Sequence, residues 1–241
     1  MILQIILVTL LTTASSAVCT IAGFGTTTIS LPILLFFFPI HQAILFIAVI
    51  HWFENIWRMI LFRQGINWML ILQFGIPAMI ASALGARASI KMPEEILIRM
   101  LGIFLLSYAV FIILKPKATL RKRTRNNIIG GSFSGFFAGI IGLGGAIRGA
   151  FLNAYNLEKI SYIFSTNAIS FLIDSSRLPV YWSNGTSLNT MFTWTAILFI
   201  PFSLTGTILA KRLVIRIPQR RFRILVTIFL GLAGIKFLLF S

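Results

Sequence analysis

Between His41 and Phe62 the chain carries only two charges, Glu54 and Arg58, among a run of isoleucine, leucine, phenylalanine, tryptophan and alanine. Comparable runs cover residues 3–22, Asn67 to Ala86, Glu94 to Leu114, Leu188 to Leu209 and Pro218 to Phe240. A bilayer core of about 30 Å takes ~20 apolar residues to cross as a helix. Of the 241 residues, 58% are hydrophobic and 11% charged, and the mean hydropathy is +0.95. A water-soluble domain of this length has too little interior for so much apolar surface, so the solvent is lipid. The expected fold class is an all-α polytopic membrane protein.

The net charge of +16 comes from 21 lysines and arginines that crowd between the apolar runs, as in Lys115 to Arg125 and Lys211 to Arg223. That distribution fits cytoplasmic loops lying against anionic lipid headgroups. It does not fit nucleic-acid binding, since no soluble domain remains to form a groove. Cys19 is a lone cysteine inside an apolar run, so no disulfide framework is expected. Ser15-Ser16-Ala17 resembles a signal-peptide cleavage site, but the basic region that should precede it is missing, and the segment is expected to stay.

Two short stretches of small residues interrupt the apolar pattern. One is Ala22-Gly23-Phe24-Gly25-Thr26-Thr27-Thr28, followed by Pro32; the other is Ile141-Gly142-Leu143-Gly144-Gly145-Ala146-Ile147-Arg148. They register at an offset of 119, which pairs Gly23 with Gly142 and Gly25 with Gly144. Arg58 and Arg177 share that offset, each with an acid (Glu54, Asp174) one helical turn before it. Pro93 and Pro218 lie 125 apart, and Pro77 and Pro201 lie 124 apart. An internal duplication accounts for this, with repeats at 1–114 and 127–241 joined by a basic linker at 115–126.

Each repeat holds five segments, one of them short (residues 26–38 and 146–156). With the Lys115–Arg125 loop in the cytoplasm, Arg58 and Arg63 fall inside, the Arg87/Lys91 loop outside, Arg177 outside, and Lys211 to Arg223 inside. An odd number of segments per half inverts one half relative to the other, a common plan of secondary transporters with the site at the repeat interface. If the short segments re-enter instead of crossing, ten crossings become eight.

At the paired glycine motifs the chain resembles the TauE/SafE family of membrane permeases. That family carries a Gly-x-Gly-Gly-Gly-like motif with a downstream proline in each of two repeats. Gly23-Phe24-Gly25 with Pro32, and Gly142-Leu143-Gly144-Gly145, carry the resemblance, and Gly139 and Thr166-Asn167-Ala168 fit the second repeat. The resemblance implies export or uptake of small anions, typically sulfite, sulfonates or other organosulfur species, across a bacterial inner membrane. It departs from the pattern at Thr26 and Thr27, which replace glycines, at Phe151, which stands where Pro32 stands in the first half, and at Arg148.

A helix end inside the membrane leaves unpaired N–H groups, and the helix dipole favours an anion there. Gly23, Gly25, Gly142, Gly144 and Gly145 would let backbone approach such a ligand, with Thr26 and Thr27 adding hydroxyls. The plainer reading of these glycines is close helix packing. Arg148, costly at depth by ~2.5–3.5 kcal/mol, is expected either to face an anion or to pair with a carboxylate. Asn167 is a candidate cavity-lining amide. Glu54 with Arg58 and Asp174 with Arg177 can each close on their own helix, and the expectation is structural pairs near opposite membrane faces, with gating or proton coupling as the alternative.

His41 and His51 have no cysteine or carboxylate at ligand spacing, so no metal site is expected. No phosphate-binding loop is present and no cofactor is implied. Ser132-Phe133-Ser134-Gly135 faintly resembles an intramembrane serine protease, but no histidine follows it. A small-anion transporter is therefore the leading expectation. An intramembrane enzyme and a non-transporting scaffold are the alternatives.

Overall fold

The computed structural model describes residues 27–35, 38–63, 66–114, 123–155, 157–186, 188, 193–201, 204 and 219–239. The first apolar segment with Gly23, Gly25 and Thr26, and most of the basic linker, lie outside the described residues. What is described is helical: α1 (Thr27–Leu34), α2 (Ile40–Leu61), α3 (Trp68–Ile90), α4 (Glu94–Leu114), α5 (Thr124–Ile141), α6 (Gly144–Ala154), α7 (Lys159–Ser183), a helical stretch at 193–201, and α8 (Gln219–Leu239).

Local chemistry sets the ends. α2 starts directly after Pro39, whose carbonyl accepts the Ala43 N–H at 3.0 Å. Asn67 caps α3, its side-chain oxygen accepting the Leu70 N–H at 3.0 Å. α4 follows Pro93 with Glu94 and Glu95 in its first turn, where acids complement the dipole. α5 stops at Gly142, whose φ of 75° is in the left-handed region that glycine adopts at little cost.

α2 and α3 are long and apolar enough to cross a membrane. Their outward faces agree with a lipid surround. Along α3, Trp68, Leu72, Ile76, Ile80 and Leu84 form an exposed apolar stripe, with Met69 beside it. Soluble monomers rarely leave so continuous an apolar surface uncovered. The polar groups are inside instead, Glu54, Arg58, Arg148, Asp174 and Arg177 among them.

The closest helix pair is α3 with α5, which run parallel. Gly131 lies against Phe74, Gly135 against Ala78 and Gly139 against Ser82, so that a methyl group added to any of the three would sit 2.0–2.2 Å from a carbonyl oxygen of α3. Glycine at every fourth position lets two backbones meet in this way. Gly139, matched at sequence level to the permease motif, is therefore a packing residue in the fold. α4 and α8 cross antiparallel, with Gly102 beside Leu238 and Gly234 beside Leu106. α2 and α7 are also antiparallel: Trp52 Nε1 donates to Ser175 Oγ at 2.9 Å, and Asn55 Nδ2 donates to Asp174 Oδ2 at 3.1 Å.

The buried apolar side chains form two clusters. One draws on α1, α2, α4 and α8 with the end of α5; the other gathers α3, α5, α6 and α7. α3, from the first half of the chain, thus completes a core made mostly by the second.

Candidate functional site

The break at Gly142 does not interrupt a straight helix. It reverses the chain, and α6 returns along α5: Gly144 lies against Ser134 and Ala138, and Phe151 against Gly130. Ser134 Oγ donates to the Gly144 carbonyl at 2.8 Å and ties the hairpin together. Gly144 and Gly145, read from sequence as part of the break, are already the first turn of α6. Phe151 packs on Phe74 with ring centroids 6.3 Å apart, which accounts for its presence where the first half has Pro32. α6 has 11 residues, so at ~1.5 Å per residue it is about 16 Å long, roughly half the membrane core.

The tip of this hairpin and the start of α1 face one cavity. Its lining comprises Thr27 of α1, His51 of α2, Gly142 with Gly144, Gly145 and Arg148 of the hairpin, and Ser170, Asp174 and Arg177 of α7. The enclosed space between them is ≈ 10 Å³, about enough for one water molecule. Five of the residues singled out in the sequence as anion-facing line it, Gly142, Gly144, Gly145 and Arg148 from the second half and Thr27 from the first. Gly142 and Thr27 are close neighbours: a methyl on Gly142 would lie 3.1 Å from Thr27 Cγ2. Asn167 is not among the lining residues, and its amide donates to the Ile163 carbonyl at 2.6 Å.

The two arginines on the second-half side are employed differently. Arg177 is 2% exposed and its donors are spent. Nε and Nη2 both reach Asp174 Oδ1, at 2.8 and 2.6 Å, and Nη1 donates to the Ala138 carbonyl at 2.6 Å. That carbonyl belongs to the last turn of α5, where a cation is favoured by the dipole. Tyr181 adds a hydrogen bond to the Gly139 carbonyl next to it. Arg177, Asp174 and Asn55 thus link α5, α7 and α2.

Arg148 is 3% exposed, and among the described residues it makes no ion pair. Its Nη2 donates to Ser170 Oγ, while its Nε has no hydrogen-bond partner. Arg148 therefore lines the cavity as a buried guanidinium with one unspent donor, near the N-terminus of α6, chemistry that suits a negative charge.

Glu54 and Arg58 are paired at 3.1 Å and buried, and Asp174 with Arg177 is buried too. Both pairs are covered by packing rather than open at a helix end. α7 continues through Pro179 to Ser183, so both pairs lie in the C-terminal half of their helices, a few turns or less from the end. Sequence reading missed His51. Its ring nitrogens are 3.4 and 3.5 Å from Thr27 Oγ1, and its Nε2 is 4.0 Å from Glu54 Oε2. The one sequence signal is that His51 precedes Glu54 by three residues, on the same helix face.

Comparison with known families agrees with this picture. The family described as sulfite exporter TauE/SafE matches residues 7–237, nearly the whole chain. Neither a curated protein sequence nor a solved structure gives a significant match. With apolar outward faces, a polar interior and a family match running through both glycine motifs, the chain belongs to the sulfite exporter TauE/SafE family, a family of integral membrane transporters.

Proposed function

We propose that this protein is a secondary transporter for a small sulfur oxyanion or organosulfur anion, sulfite above all, working by alternating access in a bacterial inner membrane. The observation that carries the reading is Arg148: buried, unpaired with any described carboxylate, and lining the space where the hairpin tip meets Thr27 of the other half. Thr27, Gly142, Gly144 and Gly145 surround the anion with it, and Gly23, Gly25 and Thr26 are proposed to complete the first-half side. An intramembrane enzyme would need a nucleophile beside a base; Ser134, the serine of the protease-like stretch, instead spends its hydroxyl inside the α5–α6 hairpin.

The two halves, 1–114 and 127–241, are proposed to be inverted repeats. Helices at corresponding places in the halves pack antiparallel, as α2 with α7 and α4 with α8. Asn55 and Asp174, which correspond at the offset of 119, touch each other, as residues near a two-fold axis in the membrane plane would. α1 and α6 are taken as re-entrant half-spans. The buried groups Glu54, Arg58, Asp174 and Arg177 are proposed to belong to the gate, whose α2–α7 contacts are exchanged as access alternates. Purified protein in proteoliposomes should carry sulfite, thiosulfate or a sulfonate down a gradient. Absence of flux for all three, in both gradient directions, rejects the transport reading.

A further inference from the structure

One group at the cavity does not have a fixed charge. His51 is buried, with both ring nitrogens within hydrogen-bonding reach of Thr27 Oγ1 from α1. From its own helix it faces Glu54, with Arg58 bonded to that carboxylate. Arg148 of α6 and Asp174 and Arg177 of α7 share the cavity lining with it, and the phenols of Tyr162 and Tyr181 stand beside Arg148 and Arg177. Ionised as they ordinarily are, the three guanidiniums and two carboxylates among the described residues leave one positive charge over. That surplus balances a monoanion such as a sulfonate. A dianion in the same place would leave a buried negative charge without a partner, which an apolar surround strongly disfavours.

Resting on the anion-site reading above, we propose that His51 supplies the missing charge. It is neutral in the empty cavity and when a monoanion is bound. When a dianion binds, His51 takes one proton from the compartment that the dianion came from, and it returns that proton as the dianion leaves. Proton and dianion therefore travel together, and the loaded cavity has the same net charge with either class of substrate. Imidazole suits this role because it gains and loses its proton near neutrality, which none of the neighbouring arginines does.

The test is titration calorimetry on the purified full chain near neutral pH, in two buffers with different ionisation heats, using thiosulfate as dianion and methanesulfonate as monoanion. Thiosulfate should bind with uptake of about one proton and weaken about tenfold for each pH unit towards the alkaline side. Methanesulfonate should bind with no proton uptake and no such pH dependence. His51→Gln should weaken thiosulfate at least about tenfold and abolish the pH dependence of what binding is left. Equal proton uptake for the two anions, thiosulfate binding without proton uptake, methanesulfonate binding with no thiosulfate binding at all, or an unchanged pH profile in His51→Gln overturns the role of His51 while leaving the anion site standing. If neither anion binds the wild type, the site reading itself is overturned, and this proposal with it.

Discussion

Arg148 and Arg177 are two buried arginines at one cavity, and removing their charges should have opposite consequences. Arg177→Gln leaves Asp174 buried with Asn55 as its one hydrogen-bonding partner among the described residues, and it removes the donor to the Ala138 carbonyl. Stranding one member of a buried ion pair costs about 3–5 kcal/mol, so the variant should unfold at a much lower temperature in detergent. Arg148→Gln strands no described carboxylate, because Arg148 has none within pairing distance. It should keep or slightly raise the unfolding temperature, since it relieves a buried charge that costs ~2.5–3.5 kcal/mol on insertion scales. Anion binding is another matter. A hydrogen bond to a charged group contributes about 1.5–3 kcal/mol, so loss of even one weakens the anion by about 10- to 150-fold. The assay pairs thermal unfolding with sulfite flux in proteoliposomes for both variants. Wild-type flux in Arg148→Gln, or a loss of stability in Arg148→Gln as large as in Arg177→Gln, would refute this division of labour.

Gly135→Val should separate α3 from α5, because its Cβ would start 2.0 Å from the Ala78 carbonyl oxygen; a sharply lowered unfolding temperature or failure to reach the membrane is expected, checked by fluorescence-detected gel filtration. Tyr181→Phe removes one hydrogen bond, to Gly139, and should cost about 0.5–1.5 kcal/mol of stability with flux retained. Thr27→Val keeps the shape and removes the hydroxyl at the cavity, which is also the neighbour of His51; sulfite affinity measured by calorimetry should fall by about 1 kcal/mol, roughly fivefold, with the unfolding temperature lowered only slightly.

The helices were largely legible because lipid requires long apolar runs and because punctuation is explicit where it exists. Pro93 followed by two acids places the start of α4, and Asn67 places that of α3. Where a proline does not stop a helix, reading fails: Leu178 looks like an end before Pro179, yet α7 goes on to Ser183. Proline inside a membrane helix is tolerated when neighbouring groups take up the freed carbonyl. That Asp174 and Arg177 line the cavity comes from the packing of α7 on α2 and the hairpin. Gly131, Gly135 and Gly139 carry a visible small-residue spacing, but the partner helix cannot be read from it. His51 reaches Thr27 only because α1 and α2 fold together, a distance of 24 positions that no local pattern records. Arg148 was legible as an anomaly, while its lack of a carboxylate partner belongs to the packing.

The seam between α3 and α5 also bears on how the chain is assembled. α3 ends at Ile90 and α5 ends at Ile141, so at about 5–20 residues per second its partner is finished roughly 3–10 s later. Through that interval the face of α3 that will meet the glycines, with Ser82 on it, has only lipid or earlier helices for company. The first half is therefore not a finished folding unit when its last residue is made. A chaperone or insertase that shields α3 during this wait would act on the surface that afterwards disappears against α5.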